Sequence, residues 1–117
     1  MLKAGCPNPP GVCFGANTAV GYQTLFTNVD GDHSTGIGSQ ALFNNTSGSD
    51  NVGVGFRTLY TNTTGDRNTG MGYRTLAFND TGSDNTAVGW NALYNNRMNT
   101  ANEATADLAG RLIFATL

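Results

Sequence analysis

The chain has 117 residues, a formal net charge of −2 and only 12% charged residues. This length predicts one domain, and the weak charge offers no basic stripe to neutralise phosphates, which argues against a nucleic-acid partner. With one histidine, His33, and no GxSxG, HExxH, P-loop or dinucleotide-binding motif, the sequence predicts no enzyme activity, catalytic residue, cofactor or metal site.

Residues 1–16 are predicted to form an N-terminal cap. Cys6 and Cys13 flank a proline-stiffened loop, and the sequence leaves open whether they form a disulfide or remain free thiols. Their spacing is not that of a zinc site. The residues before Cys6 include no apolar stretch, so we expect no signal peptide. The apolar run Leu112–Leu117 is far shorter than the roughly 20 residues of a membrane span.

Residues 17–101 repeat with a period of 17 residues, without insertion or deletion. The five units, numbered here by position 1 to 17, are NTAVGYQTLFTNVDGDH (17–33), STGIGSQALFNNTSGSD (34–50), NVGVGFRTLYTNTTGDR (51–67), NTGMGYRTLAFNDTGSD (68–84) and NTAVGWNALYNNRMNTA (85–101). Glycine at position 5, leucine at position 9 and asparagine at position 12 never vary. A fixed period this short predicts stacked, identical coils.

Each unit is predicted to form one coil of a parallel β-solenoid. At about 3.3 Å per residue, two short strands and two turns use up a unit of this length. The first strand would be the TAVGY-type segment, the second the QTLFT-type segment, and the segment rich in Asn, Thr, Gly, Ser and Asp would be the return turn. The aliphatic residues of position 4 and the leucines of position 9 would stack inside as two apolar ladders.

Positions 3 and 5 hold only alanine or glycine, and alternation along a strand would place them opposite position 4. This arrangement predicts a nearly bare strip on the outer surface, where a second subunit could approach the backbone closely. The chain is therefore expected to form a homo-oligomer.

Five further columns have structural interpretations. The asparagines of position 12 would bond from coil to coil and tolerate a left-handed backbone. Position 17 alternates charge and sets the register, which is favoured over an acid and base pair of His33 with Asp50. Arg57 and Arg74 at position 7 would form a solvated face. The aromatic residues of positions 6 and 10 would pack at coil corners or between subunits, with a sugar-binding or protein-binding stripe as the alternative.

The aspartates of the return turns raise the question of calcium. Their spacing matches neither an EF-hand nor the nine-residue calcium β-roll, and turn chemistry alone accounts for aspartate there. The six residues concerned are Asp30, Asp32, Asp50, Asp66, Asp80 and Asp84.

Residues 102–117 are predicted to form a C-terminal capping helix. The sequence Thr100-Ala-Asn-Glu103 matches a capping box, and an apolar stripe with a spacing of three to four residues follows it. The stripe consists of Ala104, Leu108, Leu112 and Ala115.

The pattern N-T-A-V-G-x-x-A-L-x-N-N-x-x-G resembles the head repeats of trimeric autotransporter adhesins of the YadA type and related repeats of phage and viral tail fibres. The resemblance covers residues 17–96, about two thirds of the chain. It implies a left-handed parallel β-roll, three chains packed side by side, and a location at a cell surface or on a virion. The unit of 17 residues is longer than the family's usual adhesin repeat, and nothing here resembles its stalk or membrane anchor.

Three classes of function follow. The repeat and the resemblance favour a non-enzymatic structural or adhesive trimer that binds a surface protein or a glycan, with no membrane partner. An ice-binding or carbohydrate-binding solenoid is the alternative, because Thr18, Thr35, Thr69 and Thr86 form a column at position 2 that only Val52 interrupts. An enzyme with a site between subunits is the third class.

Overall fold

The computed structural model describes residues 16–97 and 100, together with the backbone of residues 102–105 and 114–116. Parts of two predicted segments lie outside the described residues. They are the N-terminal cap up to residue 15, with Cys6 and Cys13, and residues 106–113 of the C-terminal helix. The described part is all-β. It holds no helix long and apolar enough to cross a membrane.

Each unit contributes one strand to a parallel sheet, which confirms the predicted β-solenoid. Neighbouring strands pair with a constant offset of one unit, so that Thr18 lies opposite Thr35 and Gly53 opposite Gly70. The five strands are β1 (Thr18–Val20), β2 (Thr35–Ile37), β3 (Val52–Val54), β4 (Thr69–Met71) and β5 (Thr86–Val88). Two further strands, β6 (Asn102–Thr105) and β7 (Phe114–Thr116), extend the sheet beyond β5.

The core lies between position 3 on the strand and positions 8 and 9 on the opposite side of each coil. All five leucines of position 9 are buried, as predicted. The prediction for positions 3 and 4 was wrong, because the Ala/Gly residues of position 3 face inward and the aliphatic residues of position 4 face outward. Val20 is 42% exposed and Met71 44% exposed, whereas Ala19 is 2% exposed. The position 3 half of the predicted bare strip is therefore part of the core, whereas the glycines of position 5 are exposed or half-buried.

The coil is too thin for a large side chain at position 3. A Cβ atom placed on Gly53 would lie 3.3 Å from Cγ of Leu42, and one on Gly36 would lie 2.5 Å from Cγ2 of Thr24. The leucine of position 9 already fills the space between the two walls of the coil. Small residues at position 3 are thus required by core packing, and they leave the larger aliphatic residues on the outside.

The predicted second strand is also wrong. Position 7 and the leucine of position 9 both have a left-handed backbone, with φ of 53° at Arg57 and 52° at Leu59. Two such residues curl the segment into a turn, although its backbone still bonds from coil to coil, with Leu59 N donating to Thr75 O at 2.9 Å. Branched and bulky residues rarely adopt this conformation, so the sequence of this segment predicts a strand and not a left-handed turn.

Two asparagine ladders bond the coils together. The position 12 ladder was predicted: each side-chain Nδ2 donates to Oδ1 of the preceding coil, at 2.9 Å from Asn62 to Asn45 and 2.7 Å from Asn79 to Asn62. The same Nδ2 of Asn62 donates to Gly65 O within its own coil. These asparagines do not adopt the left-handed backbone expected for them, which falls instead on positions 7, 9 and 17.

The second ladder, at position 1, was not predicted. Asn51 Oδ1 accepts from the backbone N of Asn68 at 2.9 Å, and Asn51 Nδ2 donates to Gly65 O at 2.8 Å. Asn68 Nδ2 also donates to Asn62 Oδ1 at 3.2 Å, which connects the two ladders. Buried amides therefore find partners in the neighbouring coil, which meets the requirement that buried polar groups be hydrogen-bonded.

The predicted C-terminal helix is wrong where the chain is described, because residues 102–105 and 114–116 are strands. Strand β6 pairs parallel with β5, with Glu103 opposite Thr86 and Ala104 opposite Ala87, and β7 pairs antiparallel with β6. The open edge of β5 offers unpaired backbone groups that a strand satisfies and a helix does not. Residues 102–105 continue the period of 17, and Asn102 and Ala104 match positions 1 and 3 of the repeat, a signal that the capping-box pattern concealed.

Candidate binding surfaces

Three outer faces of the solenoid carry side chains that could contact a partner. We call them the strand face, the arginine slot and the threonine groove. The strand face consists of positions 2 and 4 of the repeat. The arginine slot is lined by positions 7, 10 and 11, and the threonine groove by positions 11 and 13. Because every coil has the same conformation, each face consists of columns that run along the solenoid.

The strand face presents two parallel columns on β1 to β5. Position 2 supplies the threonine column with Val52 at its centre, and position 4 supplies an aliphatic column that faces the same way, because residues two apart lie on one face of a strand. Four of the five aliphatic residues are exposed and the central Val54 is half-buried. The aliphatic column consists of Val20, Ile37, Val54, Met71 and Val88.

Aromatic rings stack along the solenoid at two positions, and those of position 6 remain exposed. At position 6, Phe56 and Tyr73 have ring centroids 5.4 Å apart, and Tyr73 and Trp90 follow at 6.2 Å. At position 10, the rings of Phe26, Phe43 and Tyr60 stack in the first three coils. Stacking covers both faces of Phe43 and Tyr73, so neither of these two rings has a face left for a sugar ring.

The arginine slot lies where the position 10 column is interrupted. The fourth unit has Ala77 at this position, and a small cavity of about 70 Å³ opens beside it. Arg57 and Arg74 were predicted to form a solvated face, but both are half-buried and border this cavity. The lining residues are Arg57, Tyr60, Arg74, Ala77, Phe78 and Tyr94.

The threonine groove is wider, with a volume of about 330 Å³. Its lining includes Thr46, Thr61 and Thr63, and Asp80 and Arg97 also border it. The hydroxyls of Thr46 and Thr61 donate to backbone carbonyls of the next coil at 2.8 and 2.9 Å. Since these protons are already used, these two hydroxyls can offer a ligand only acceptors.

The charges of position 17 form the ladder that the sequence predicts, in part. Arg67 Nε lies 2.6 Å from Asp84 Oδ1, and a second guanidinium nitrogen bonds Oδ2 at 3.0 Å. His33 Nδ1 is 3.8 Å from Asp50 Oδ1 and 3.3 Å from the adjacent Asp32. His33 and Asp50 are exposed, and the described residues contain no cluster of three or more His, Cys, Asp or Glu side chains that could hold a metal ion.

The hydrogen bond from Arg67 lowers the pKa of Asp84 below its ordinary value. A lowered folded-state pKa means that the stabilisation from this pair is present above the unfolded pKa and is lost as pH falls through the folded pKa. We expect the Arg67→Gln variant to raise the pKa of Asp84, measured by carboxyl NMR titration. The Arg97→Gln control removes an equal charge elsewhere and should leave that titration unchanged; equal shifts in both variants would contradict the pairing.

Comparison with family models, curated proteins and solved structures found no match to this chain.

Proposed function

We propose that this protein is a non-enzymatic structural or adhesive module that assembles as a homotrimer of left-handed β-roll subunits. The observation that carries the proposal is the aliphatic column of the strand face, which stays exposed in four of five coils. Contiguous exposed apolar patches on soluble domains mark interaction surfaces. The trimer and the handedness follow from the resemblance of the repeat to adhesin heads, and the interface is assigned to position 4 in place of the buried position 3.

The aliphatic column also suits contact with further copies of the same chain. Three copies that place the same column around one axis would bury each aliphatic residue against its equivalents, as closed cyclic symmetry requires. A narrow solenoid core of one leucine per coil buries little apolar area by itself, so added burial between subunits would supplement its stability. The position 6 rings next to the column would enlarge the contact.

The mass in solution tests this proposal. The wild-type chain is expected at three times 12.2 kDa by light scattering on a sizing column. The Val54→Glu variant should run near the monomer mass, because an unpaired carboxylate buried at the centre of the interface costs several kcal/mol, roughly more than 100-fold in the association constant. A matched control, Ser47→Glu, places the same charge on an exposed return turn.

A monomeric wild-type chain would contradict the trimer. So would a Val54→Glu variant that keeps the trimer mass, because the strand face could not then lie between subunits. Circular dichroism of each variant should match the wild type, since Val54 and Ser47 both point away from the core.

An ice-binding or carbohydrate-binding solenoid is the second candidate, and the strand face favours it as well. The threonine and aliphatic columns lie side by side on one outward face, with one step per coil of about 4.8 Å. A flat, regular face of this kind could match an ordered array of water molecules only if it were free of other subunits. Freezing hysteresis in a monomeric sample would support this function, and a trimer without hysteresis would exclude ice binding through the strand face.

A further inference from the structure

The arginine slot differs from the rest of the solenoid because one ring is missing from a stacked column. Rings at position 10 stack at 5.3 and 5.1 Å through the first three coils, and Ala77 then breaks the series. The next residue, Phe78, packs edge-on against Tyr94, with centroids 5.0 Å apart and planes at 85°. The cavity of about 70 Å³ that remains is roughly the volume of two water molecules, which suits a group as small as a carboxylate.

Aromatic rings flank the guanidinium groups at the slot. The central guanidinium carbon of Arg57 lies 5.2 Å from the ring centroids of both Phe56 and Tyr60, and that of Arg74 lies 5.3 Å from the ring of Tyr73. Cation–π contacts of this length are favourable and restrict a long side chain without using its N–H donors. Both guanidinium groups are therefore preorganised and keep N–H donors for a ligand.

A chain of side-chain hydrogen bonds along position 7 ends at this point. Gln40 Nε2 donates to Gln23 Oε1 at 3.0 Å, and Arg57 Nε donates to Gln40 Oε1 at 2.7 Å. Arg57 has no acceptor to offer the next coil, because a guanidinium carries only donors. Within the described part of the chain, Arg74 has no carboxylate within ion-pair distance, and its guanidinium lies over the ring of Tyr73.

The residue that follows in this column does not supply Arg74 with an acceptor. Asn91 Oδ1 is buried and has no hydrogen-bond partner. Two like charges side by side on neighbouring coils are unfavourable, and at position 17 the solenoid avoids this by pairing Arg67 with Asp84. At position 7 it does not. An anion bound between Arg57 and Arg74 would compensate both charges and use their free donors.

We propose that the arginine slot binds the carboxylate of an acidic sugar residue, an inference that rests on the proposed adhesive function and names its ligand class. A planar carboxylate matches the planar fork of a guanidinium, with two parallel N–H···O bonds. Tyr60 and Tyr94 line the slot, and a tyrosine combines an apolar ring with a phenol hydroxyl, which suits a sugar at the rim of a polar pocket. The sugar ring would lie outside the slot, since only its carboxylate fits within.

Isothermal titration calorimetry with a short oligogalacturonate at low salt tests the proposal. Binding is expected for the free acid and not for its methyl ester or for a neutral maltooligosaccharide. Arg74→Gln should weaken binding about tenfold or more, because it removes a charge-assisted bidentate contact. Arg74→Lys should restore only part of the affinity, because an ammonium lacks the planar fork.

The matched control is Arg67→Gln, which makes the same change in net charge but acts at the Asp84 pair away from the slot. This variant should bind as the wild type does. Equal weakening in both variants, binding of the methyl ester, no binding of the free acid, or preference for a sulfated oligosaccharide without carboxylates would each overturn the proposal. A loss of trimer mass in Arg74→Gln would also overturn it, because the slot would then be a contact between subunits.

The Val54→Glu variant separates this proposal from the proposed assembly. Its strand face is altered but its slot is intact, so a monomeric Val54→Glu chain should still bind oligogalacturonate with each subunit. Retained sugar binding in a wild-type chain that proves monomeric would leave the slot in place and remove only the trimer.

Discussion

Replacing Asn62 by alanine is expected to lower the free energy of unfolding by about 3 kcal/mol or more. Its Nδ2 donates to Asn45 Oδ1 and Gly65 O, at 2.9 and 2.8 Å, and its Oδ1 accepts from Asn79 at 2.7 Å. The alanine would leave several buried polar atoms with fewer partners, at about 1 to 3 kcal/mol for each atom left unsatisfied. Urea denaturation followed by circular dichroism measures the change.

Asn95→Ala is the matched control for this prediction. Asn95 is the same residue type, lies in the same solenoid, and has an exposed side chain. Its replacement should change the free energy of unfolding by less than about 0.5 kcal/mol, as for other surface sites. If Asn62→Ala were as mild as this control, the position 12 ladder would not be a source of stability.

Gly55→Ala is expected to be the most damaging change to the backbone of the coil, at about 3 kcal/mol or more. Gly55 has φ of 131°, a region that is essentially restricted to glycine and costs about 1 to 3 kcal/mol for other residues. A Cβ atom there would also clash with the carbonyl oxygen of Gly72 in the next coil. Backbone atoms of a stacked coil cannot move aside as a flexible side chain can. We expect a large fall in the melting temperature.

The comparison variant is Gly53→Ala, two residues earlier on the same coil. Its Cβ would lie 3.3 Å from Cγ of Leu42, a side-chain atom that can shift by a few tenths of an ångström. Alanine already stands at the equivalent position in the first and fifth units, as Ala19 and Ala87. Gly53→Ala should therefore change stability by about 1 kcal/mol at most. Similar losses in the two variants would contradict the prediction, because only Gly55 combines a positive φ with a clash against backbone of the next coil.

The period of the sequence predicts stacking, register and the buried leucines because these depend only on which residues recur. It does not predict which of two alternating positions points inward. Hydrophobicity alone predicts that the aliphatic residues of position 4 point inward. The volume inside the coil, however, admits only the alanine or glycine of position 3. A signal was present: position 4 accepts valine, isoleucine and methionine, a tolerance typical of an outer face, while position 3 accepts only the two smallest residues.

The left-handed residues were a second limit of prediction. Leu59 at 52° and Arg57 at 53° have residue types that rarely adopt this region, so local propensity predicts a strand. Stacking of identical turns stabilises that conformation, because each turn bonds to copies of itself in the neighbouring coils. The arginine slot was beyond prediction for a related reason: it depends on how Phe78 turns its ring towards Tyr94 once Ala77 leaves a gap.

The constant offset between paired strands implies that the length of this protein can change by whole units. Deletion of residues 51–67 would join two coils whose leucine and asparagine columns match as well as before. The charges would not match, however, because Asp50 would become the neighbour of Asp84 after the loss of Arg67. Whole units are therefore exchangeable in packing but not in charge. The invariant columns determine the architecture common to all coils, whereas the charges of position 17 favour one order of the coils.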